Sequence, residues 1–187
     1  IGACLTSLFL LSTGDDTYLP NVQKHVQGIA PAIAANPTTS NWTLGYQGLL
    51  LGEYYLRTGD TQVLAALQAL CDRAVEQQMA GGWGHNGGVS PGYVQSGLMS
   101  SAGVTVLNTL IIAKECGVSV PDEPYKKALK LMYRMPGHGS VPYGDHRAEQ
   151  DWPGTNGRNA QLACAFSLLD DPVSGDGQYY KSASEHL

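Results

Sequence analysis

Charge is what this sequence has least of. Only 14% of its 187 residues are Asp, Glu, Lys or Arg, where about a quarter is usual for a soluble domain. Eleven Lys plus Arg against 16 Asp plus Glu leave a net charge of −5, so there is no basic stripe of the kind a phosphate backbone requires and nucleic acid is excluded as a partner. Anionic membrane surfaces are disfavoured for the same reason. Long apolar runs are missing too: none approaches the ~20 residues needed to span a bilayer, so no membrane insertion is expected. Cys4, Cys71, Cys116 and Cys164 lie far apart with no CxxC spacing, each in or at the end of an apolar stretch. They read as buried thiols acting as small hydrophobes rather than as a disulfide framework or a zinc site. The apolar segment Ile1 to Leu11 lacks an initiating Met, a basic leader and a small-residue cleavage pattern, so it reads as a core helix and not as a signal peptide. Beginning without a cap, the chain reads as a domain excised from a longer parent.

What the sequence does have is apolar residues, 43% of the total, and 23 glycines. With so little charge, the surface must be made largely of Gly, Ser, Thr, Asn and Gln, which suits a secreted or cell-envelope protein. A chain of this length buries roughly 70% of its unfolded surface as one domain, here residues 1–187, without help from metals or disulfides.

Internal similarity organises the chain. Leu8-Phe-Leu-Leu-Ser-Thr-Gly-Asp15 and Glu53-Tyr-Tyr-Leu-Arg-Thr-Gly-Asp60 end two apolar helices with the same Thr-Gly-Asp stop, and Gly14 and Gly59 are placed as left-handed helix terminators. After each stop a helical period resumes, through Val22, Val26, Ile29 and Ile33 in one unit and Val63, Leu67, Leu70 and Ala74 in the next. A third unit runs from about Gln95 to Cys116, stops at Gly117 and restarts at Pro121. A fourth starts near Asn156, breaks at Asp170-Asp171-Pro172 and restarts around Gly177. The expectation is all-α: about four antiparallel hairpins, eight helices, with no β-like alternation. First helices carry small residues (Gly45, Gly48, Gly52; Gly97, Ser100, Ser101, Gly103). Glycine costs about 1 kcal/mol against alanine inside a helix, so clusters of it imply close helix approach and an inner ring. Second helices, Thr61 to Met79 and Asp122 to Met135, carry the Lys, Arg, Glu and Gln of an outer ring.

In such a succession every connection from a second helix to the next first helix lies on one rim, and these are the long connections: residues 35–41, 80–93 and 136–155. Loops beyond about 12 residues in a compact domain are usually functional or disordered, and the aromatic and His content argues against disorder. Their sequences gather His85, Asn86, Tyr93, His138, Tyr143, His146, Arg147, Asn156 and Arg158 on that rim, where first-helix N-termini add partial positive charge suited to an anion.

The hairpin repeat and the Gly81-Gly-Trp-Gly84 loop ahead of a first helix resemble the α/α-toroid families, which include terpenoid cyclases, protein prenyltransferases, lanthionine cyclases, polysaccharide lyases and glycosidases. The chain is also similar to bacterial toroid domains of unknown function. The resemblance implies a partial or compact toroid, because four hairpins are fewer than closed toroids of these families carry; further domains or subunits would complete the wall. Asp15-Asp16 and Asp170-Asp171 sit at helix stops rather than in an acid-rich cyclase motif, and neither long rim loop holds a Cys for zinc. No cofactor is implied.

Carbohydrate chemistry matches the remaining residue types. In toroid polysaccharide lyases an Asn or Arg neutralises a uronate carboxylate while a Tyr or His moves protons. Here Asn86, Asn156, Arg147 and Arg158 are placed to neutralise, and His85, Tyr143 and His146 to transfer protons. Trp83 and Trp152 are placed as stacking platforms, with Tyr93, Asp145 and Asp151 as further substrate contacts. His146, among carboxylates, suits an acid, leaving Tyr143 or His85 as base. A glycosidase would need two carboxylates about 5 to 10 Å apart, from Asp145, Glu149 and Asp151. Structural roles stand beside these: Trp83 as a plug between outer helices, Asn156 and Asn159 as caps, and Arg147 and Arg158 paired to Asp145 and Asp151. The sequence therefore points to a glycan-processing domain with an oligosaccharide or polysaccharide partner, against a non-catalytic binding toroid or a structural envelope domain.

Overall fold

The computed structural model describes residues 1–88, 97–134, 141–144 and 156–169. Among these residues the chain forms seven α-helices and no strand, only isolated bridges. The helices are α1 (Gly2–Ser12), α2 (Leu19–Ala35), α3 (Asn41–Thr58), α4 (Leu64–Gln77), α5 (Ser100–Glu115), α6 (Asp122–Met132) and α7 (Asn156–Leu168). The eighth helix expected around Gly177 lies outside the described residues. No described helix is long and apolar enough to cross a membrane.

The repeated stops share one turn, although Gly14 N–H reaches the Leu11 carbonyl three residues back and Gly59 N–H the Tyr55 carbonyl four back. Gly14 and Gly59 adopt φ of 69° and 70°, a left-handed turn that side-chain-bearing residues rarely enter. In each stop the threonine hydroxyl accepts the Asp N–H two residues on, Thr13 from Asp15 and Thr58 from Asp60, both at 3.2 Å. The same Asp accepts the next amide but one: Asp15 from Thr17 at 2.9 Å and Asp60 from Gln62 at 3.0 Å. The N–H of Thr17 holds the Asp15 carboxyl below its ordinary pKa. Arg57 fastens the stops together, donating to the Gly14 carbonyl at 3.1 Å and pairing with Asp16 at 2.6 Å.

First helices pack side by side, α1 on α3, α3 on α5 and α5 on α7, while α2 packs on α4 and α6 on α5. The second helices are amphipathic as their spacing requires: Val22, Val26, Ala30 and Ile33 of α2, and Leu67, Leu70 and Ala74 of α4, are buried. The turn Thr61–Val63 is 3-10 rather than α. Every residue of α5 from Ser100 to Ala113 is buried, as expected for a helix apolar or small all round. Two expectations need correction. α1 is not a core helix: it buries only Cys4 and Ser7 and leaves Leu5 and Phe9 exposed. All four cysteines are free, but Cys164 is exposed.

The glycines of α3 have the reason the sequence implied. A Cβ at Gly45 would lie 2.6 Å from Thr105 Cγ2, one at Gly52 2.7 Å from Ile112 Cγ2, and one at Gly48 closer still to Thr109. The missing side chains let the backbones approach until the Thr109 hydroxyl donates to the Gly45 carbonyl at 2.8 Å.

Two predictions follow from this packing. Gly48→Ala gains helix propensity but drives a methyl into Thr109, so denaturant titration should show a net loss of about 1–3 kcal/mol. Gly28→Ala in α2, where a Cβ meets nothing within 4 Å, should instead gain up to about 1 kcal/mol. Equal effects would refute the seam. Burial also pushes the Cys71 thiol from 9.0 up to about 12 and the Cys116 thiol up to about 11. Since the folded values are raised, this contribution is complete below the unfolded thiol's pKa and is lost as pH rises from 9.0 towards 11 and 12. Replacing both thiols with Ala should therefore flatten the alkaline fall in stability relative to the parent, and parallel curves would contradict it.

Candidate functional site

The rim is built by loop carbonyls that end at helix starts. A helix begins with amide groups that have no partner inside it; here the preceding and following loops supply one. Asn41 N–H donates to the His85 carbonyl at 3.0 Å, and the Asn41 side-chain amide donates to the carbonyls of Gly84 at 3.0 Å and Asn86 at 3.1 Å. One repeat later Ser100 N–H donates to the Tyr143 carbonyl at 2.9 Å, and the Ser100 hydroxyl to Gly144 at 3.2 Å. The loops tie forward as well: Met99 N–H donates to Trp83 at 2.8 Å, and Arg158 Nε–H to Val141 at 2.9 Å. Residues 83–86 and 141–144 thus occupy equivalent places, His85 matching Tyr143, and both loops lie on one end of the stack. The first amide of α3 and the first amide of α5 are taken by these carbonyls.

Trp83 is fully buried, and its indole N–H donates to the Ala74 carbonyl at 2.8 Å. Gln78 N–H turns to Val75 instead, so the indole satisfies a carbonyl orphaned by the end of α4. An enclosed ring offers no face to a sugar, so the stacking role given to Trp83 is replaced by that of plug and cap.

The exposed imidazole of His85 belongs to a pair absent from the sequence reading. Trp42, half-buried in the first turn of α3, donates its indole N–H to His85 Nδ1 at 2.9 Å, with ring centroids 6.0 Å apart. An indole nitrogen only donates, so Nδ1 is an acceptor and the neutral ring carries its proton on Nε2. His85 is thereby set up as an Nε2–H donor rather than as the base. Trp42 follows the Ser40-Asn41 cap in the shortest of the three rim loops, and that position was the available signal.

Tyr143 is half-buried, with the Arg158 guanidinium 5.7 Å from its ring centroid. Asn159 does not cap its own helix start; its Oδ1 accepts Val141 N–H at 2.6 Å and holds the loop. Asn86 is exposed and bridges Ser40. Beneath residues 84–88, the buried side chains of Asn41 and Gln77 leave Asn41 Oδ1 and both Gln77 amide atoms without a hydrogen-bond partner among the described residues. Tyr93, His138, Asp145, His146, Arg147, Glu149, Asp151 and Trp152 lie outside the described residues, as does the side chain of Asn156.

Fold and site together define an all-α domain of stacked helical hairpins with an aromatic and imidazole-bearing loop rim. The chain belongs to the DUF6288 family, a domain of unknown function, which matches residues 2–186. Neither a curated protein nor a solved structure matches it.

The two tryptophans should separate in mutation. Trp83→Phe strands the Ala74 carbonyl in the interior and should cost about 1–3 kcal/mol in denaturant titration. Trp42→Phe, at the half-exposed rim, should cost under about 1 kcal/mol. The reverse order would refute these placements.

Proposed function

We propose that this domain processes acidic glycans at the loop rim by lyase-like chemistry, on an α/α-toroid type of scaffold. The observation that carries the reading is Arg158 seated over Tyr143, held there through its Nε–H on the Val141 carbonyl. A guanidinium is a planar fork suited to a uronate carboxylate. Neutralising that carboxylate acidifies the adjacent C–H; deprotonated Tyr143 takes this proton, the electron pair forms the ring double bond, and the glycosidic C–O bond breaks with a proton delivered to the leaving oxygen. Tyr143, protonated by that transfer, returns the proton to the leaving oxygen, while His85, with its proton on Nε2, is suited to hold a sugar hydroxyl or carboxylate by donating a hydrogen bond to it. Trp42 takes the platform role, and the unpartnered amide atoms of Asn41 and Gln77 are polar groups that sugar hydroxyls or ordered water would satisfy.

One observation favours a second reading, a rim that binds glycans without cleaving them: Trp42 sets a half-buried aromatic ring beside the exposed His85 imidazole, a pair suited to resting against a sugar ring. Incubation with polygalacturonate, alginate and glycosaminoglycans, followed by ultraviolet absorbance of the unsaturated uronate, separates the two. Lyase action should appear on at least one substrate and fall about 10²- to 10⁴-fold in Tyr143→Phe. No unsaturated product, together with retardation of a glycan in affinity electrophoresis that Trp42→Ala abolishes, would establish binding alone. Neither result with any glycan would refute both.

A further inference from the structure

One turn below the rim, a hydrogen bond joins two first helices that are not neighbours in the row. Gln161 Nε2 of α7 donates to the Tyr46 hydroxyl of α3 at 3.3 Å, although α5 packs between these helices. The faces that carry the two side chains are therefore turned towards each other across α5. Asn108 of α5 joins them, donating its side-chain amide to the Gln161 carbonyl at 3.1 Å. Register ties this layer to the rim. Residues three or four apart share a helix face, so Tyr46 lies under Trp42 on α3 and Gln161 under Arg158 on α7. The Trp42–His85 pair and the Arg158–Tyr143 pair accordingly stand above the two sides of this layer.

These side chains keep unspent hydrogen-bonding capacity. Tyr46 is half-buried; its oxygen accepts from Gln161, and its own O–H has no acceptor among the described residues. Gln161 Oε1 and Asn108 Oδ1 are buried without a donor, as is the Ser101 hydroxyl two turns nearer the rim on the same face of α5. A buried acceptor left without a donor is destabilising, so a group that brings one is bound favourably there. Turning the Gln161 amide over exchanges the roles: Tyr46 O–H then donates to Oε1, and the amide N–H groups are left free. In either orientation the pair offers one donor and one acceptor side by side. None of these side chains carries a charge.

We propose, on the basis of the glycan reading of the rim, that Tyr46 and Gln161 form the floor of the substrate cleft and read free hydroxyls of the uronate whose carboxylate Arg158 holds. A sugar hydroxyl both donates and accepts, and two neighbouring ones on a ring match an adjacent donor and acceptor. The substrate class narrows in consequence to a uronan whose ring hydroxyls are unsubstituted. An O-acetyl group has no proton to give Gln161 Oε1. An O-sulfo group would bring a negative charge into a layer that supplies no cation, where its desolvation would go unpaid.

Affinity electrophoresis in polygalacturonate, alginate and unsulfated chondroitin, each beside its chemically O-acetylated form, tests the floor. The parent should bind at least one free polymer, and bind the acetylated form of that polymer at least about tenfold more weakly. Tyr46→Phe and Gln161→Met, which keep the bulk of each side chain, should each weaken binding of the free polymer about three- to tenfold and narrow the gap between free and acetylated forms. Where the polymer is cleaved, the loss should fall in KM rather than in kcat. Circular dichroism on heating checks folding, and Tyr46→Phe decides alone if Gln161→Met unfolds. Parental binding in either folded variant would overturn the proposal. So would weaker binding that still discriminates against acetylation as the parent does, the mark of a merely structural pair. A parent that binds without releasing unsaturated product removes the lyase chemistry alone, because the variants still decide the floor; a parent that binds none of the polymers overturns both.

Discussion

Everything on the rim depends on how closely α3 and α5 approach. A helix pair with ordinary side chains at its contact stands about 8–10 Å apart; removing three Cβ atoms from one side brings the backbones near enough for the Thr109 hydroxyl to bond the Gly45 carbonyl and the Cys116 thiol to reach the Gly52 carbonyl at 3.6 Å. These polar contacts fix the helices along their axes as well as across them. The starts of α3 and α5 are therefore set at matched heights, and a loop a few residues long can reach both. Trp83 bonds Met99 at the start of α5 while His85, two residues on, bonds Asn41 at the start of α3. Slippage by one turn, 5.4 Å, would break one of those bonds.

The rim loops are held to the helix starts largely by their main chain. His85 and Tyr143 each give a backbone carbonyl to the first amide of a helix, and the His85 imidazole adds a side-chain tie by accepting the Trp42 indole N–H. The position of each ring is nevertheless inherited from the helix it is tied to, which is how a loop residue acquires the rigidity a site requires. The residue two places earlier in each loop has the opposite role: Trp83 and Val141 are buried and turn their carbonyls towards the next helix. Buried anchor and displayed ring alternate within one short segment, twice.

The hairpins, their stops and the glycine seam were legible because each leaves a periodic or repeated trace. Thr-Gly-Asp recurs with the same bonds, and a run of glycines inside a helix has few explanations besides contact. The site was less legible. A Trp between glycines reads equally as platform or plug, and the choice fell to plug only because the end of α4 orphans the Ala74 carbonyl within reach of the indole, a tertiary coincidence. Trp42 was missed because it stands in the first turn of α3, just past the shortest rim loop. α1 misled because it is apolar on every side, and apolarity without a face says nothing about which side is covered. The same blindness put Cys164 in the core.

Scarcity of charge ties these features together. A row of helices packed through glycine, threonine and serine has no room for long ionic side chains, and the few present are used to fasten turns, as Arg57 fastens Gly14 to Asp16. The groove beside it holds Glu53 against Leu8, Leu11 and Leu56, where burial raises the carboxyl's pKa. That groove nevertheless makes a poor site, because its guanidinium is already committed to both stops. The rim differs in kind. There main-chain carbonyls carry most of the bonds to the helix starts, with Arg158 Nε–H and the Trp42–His85 pair added to them, so imidazole, phenol and guanidinium are all held in place at one end of the stack.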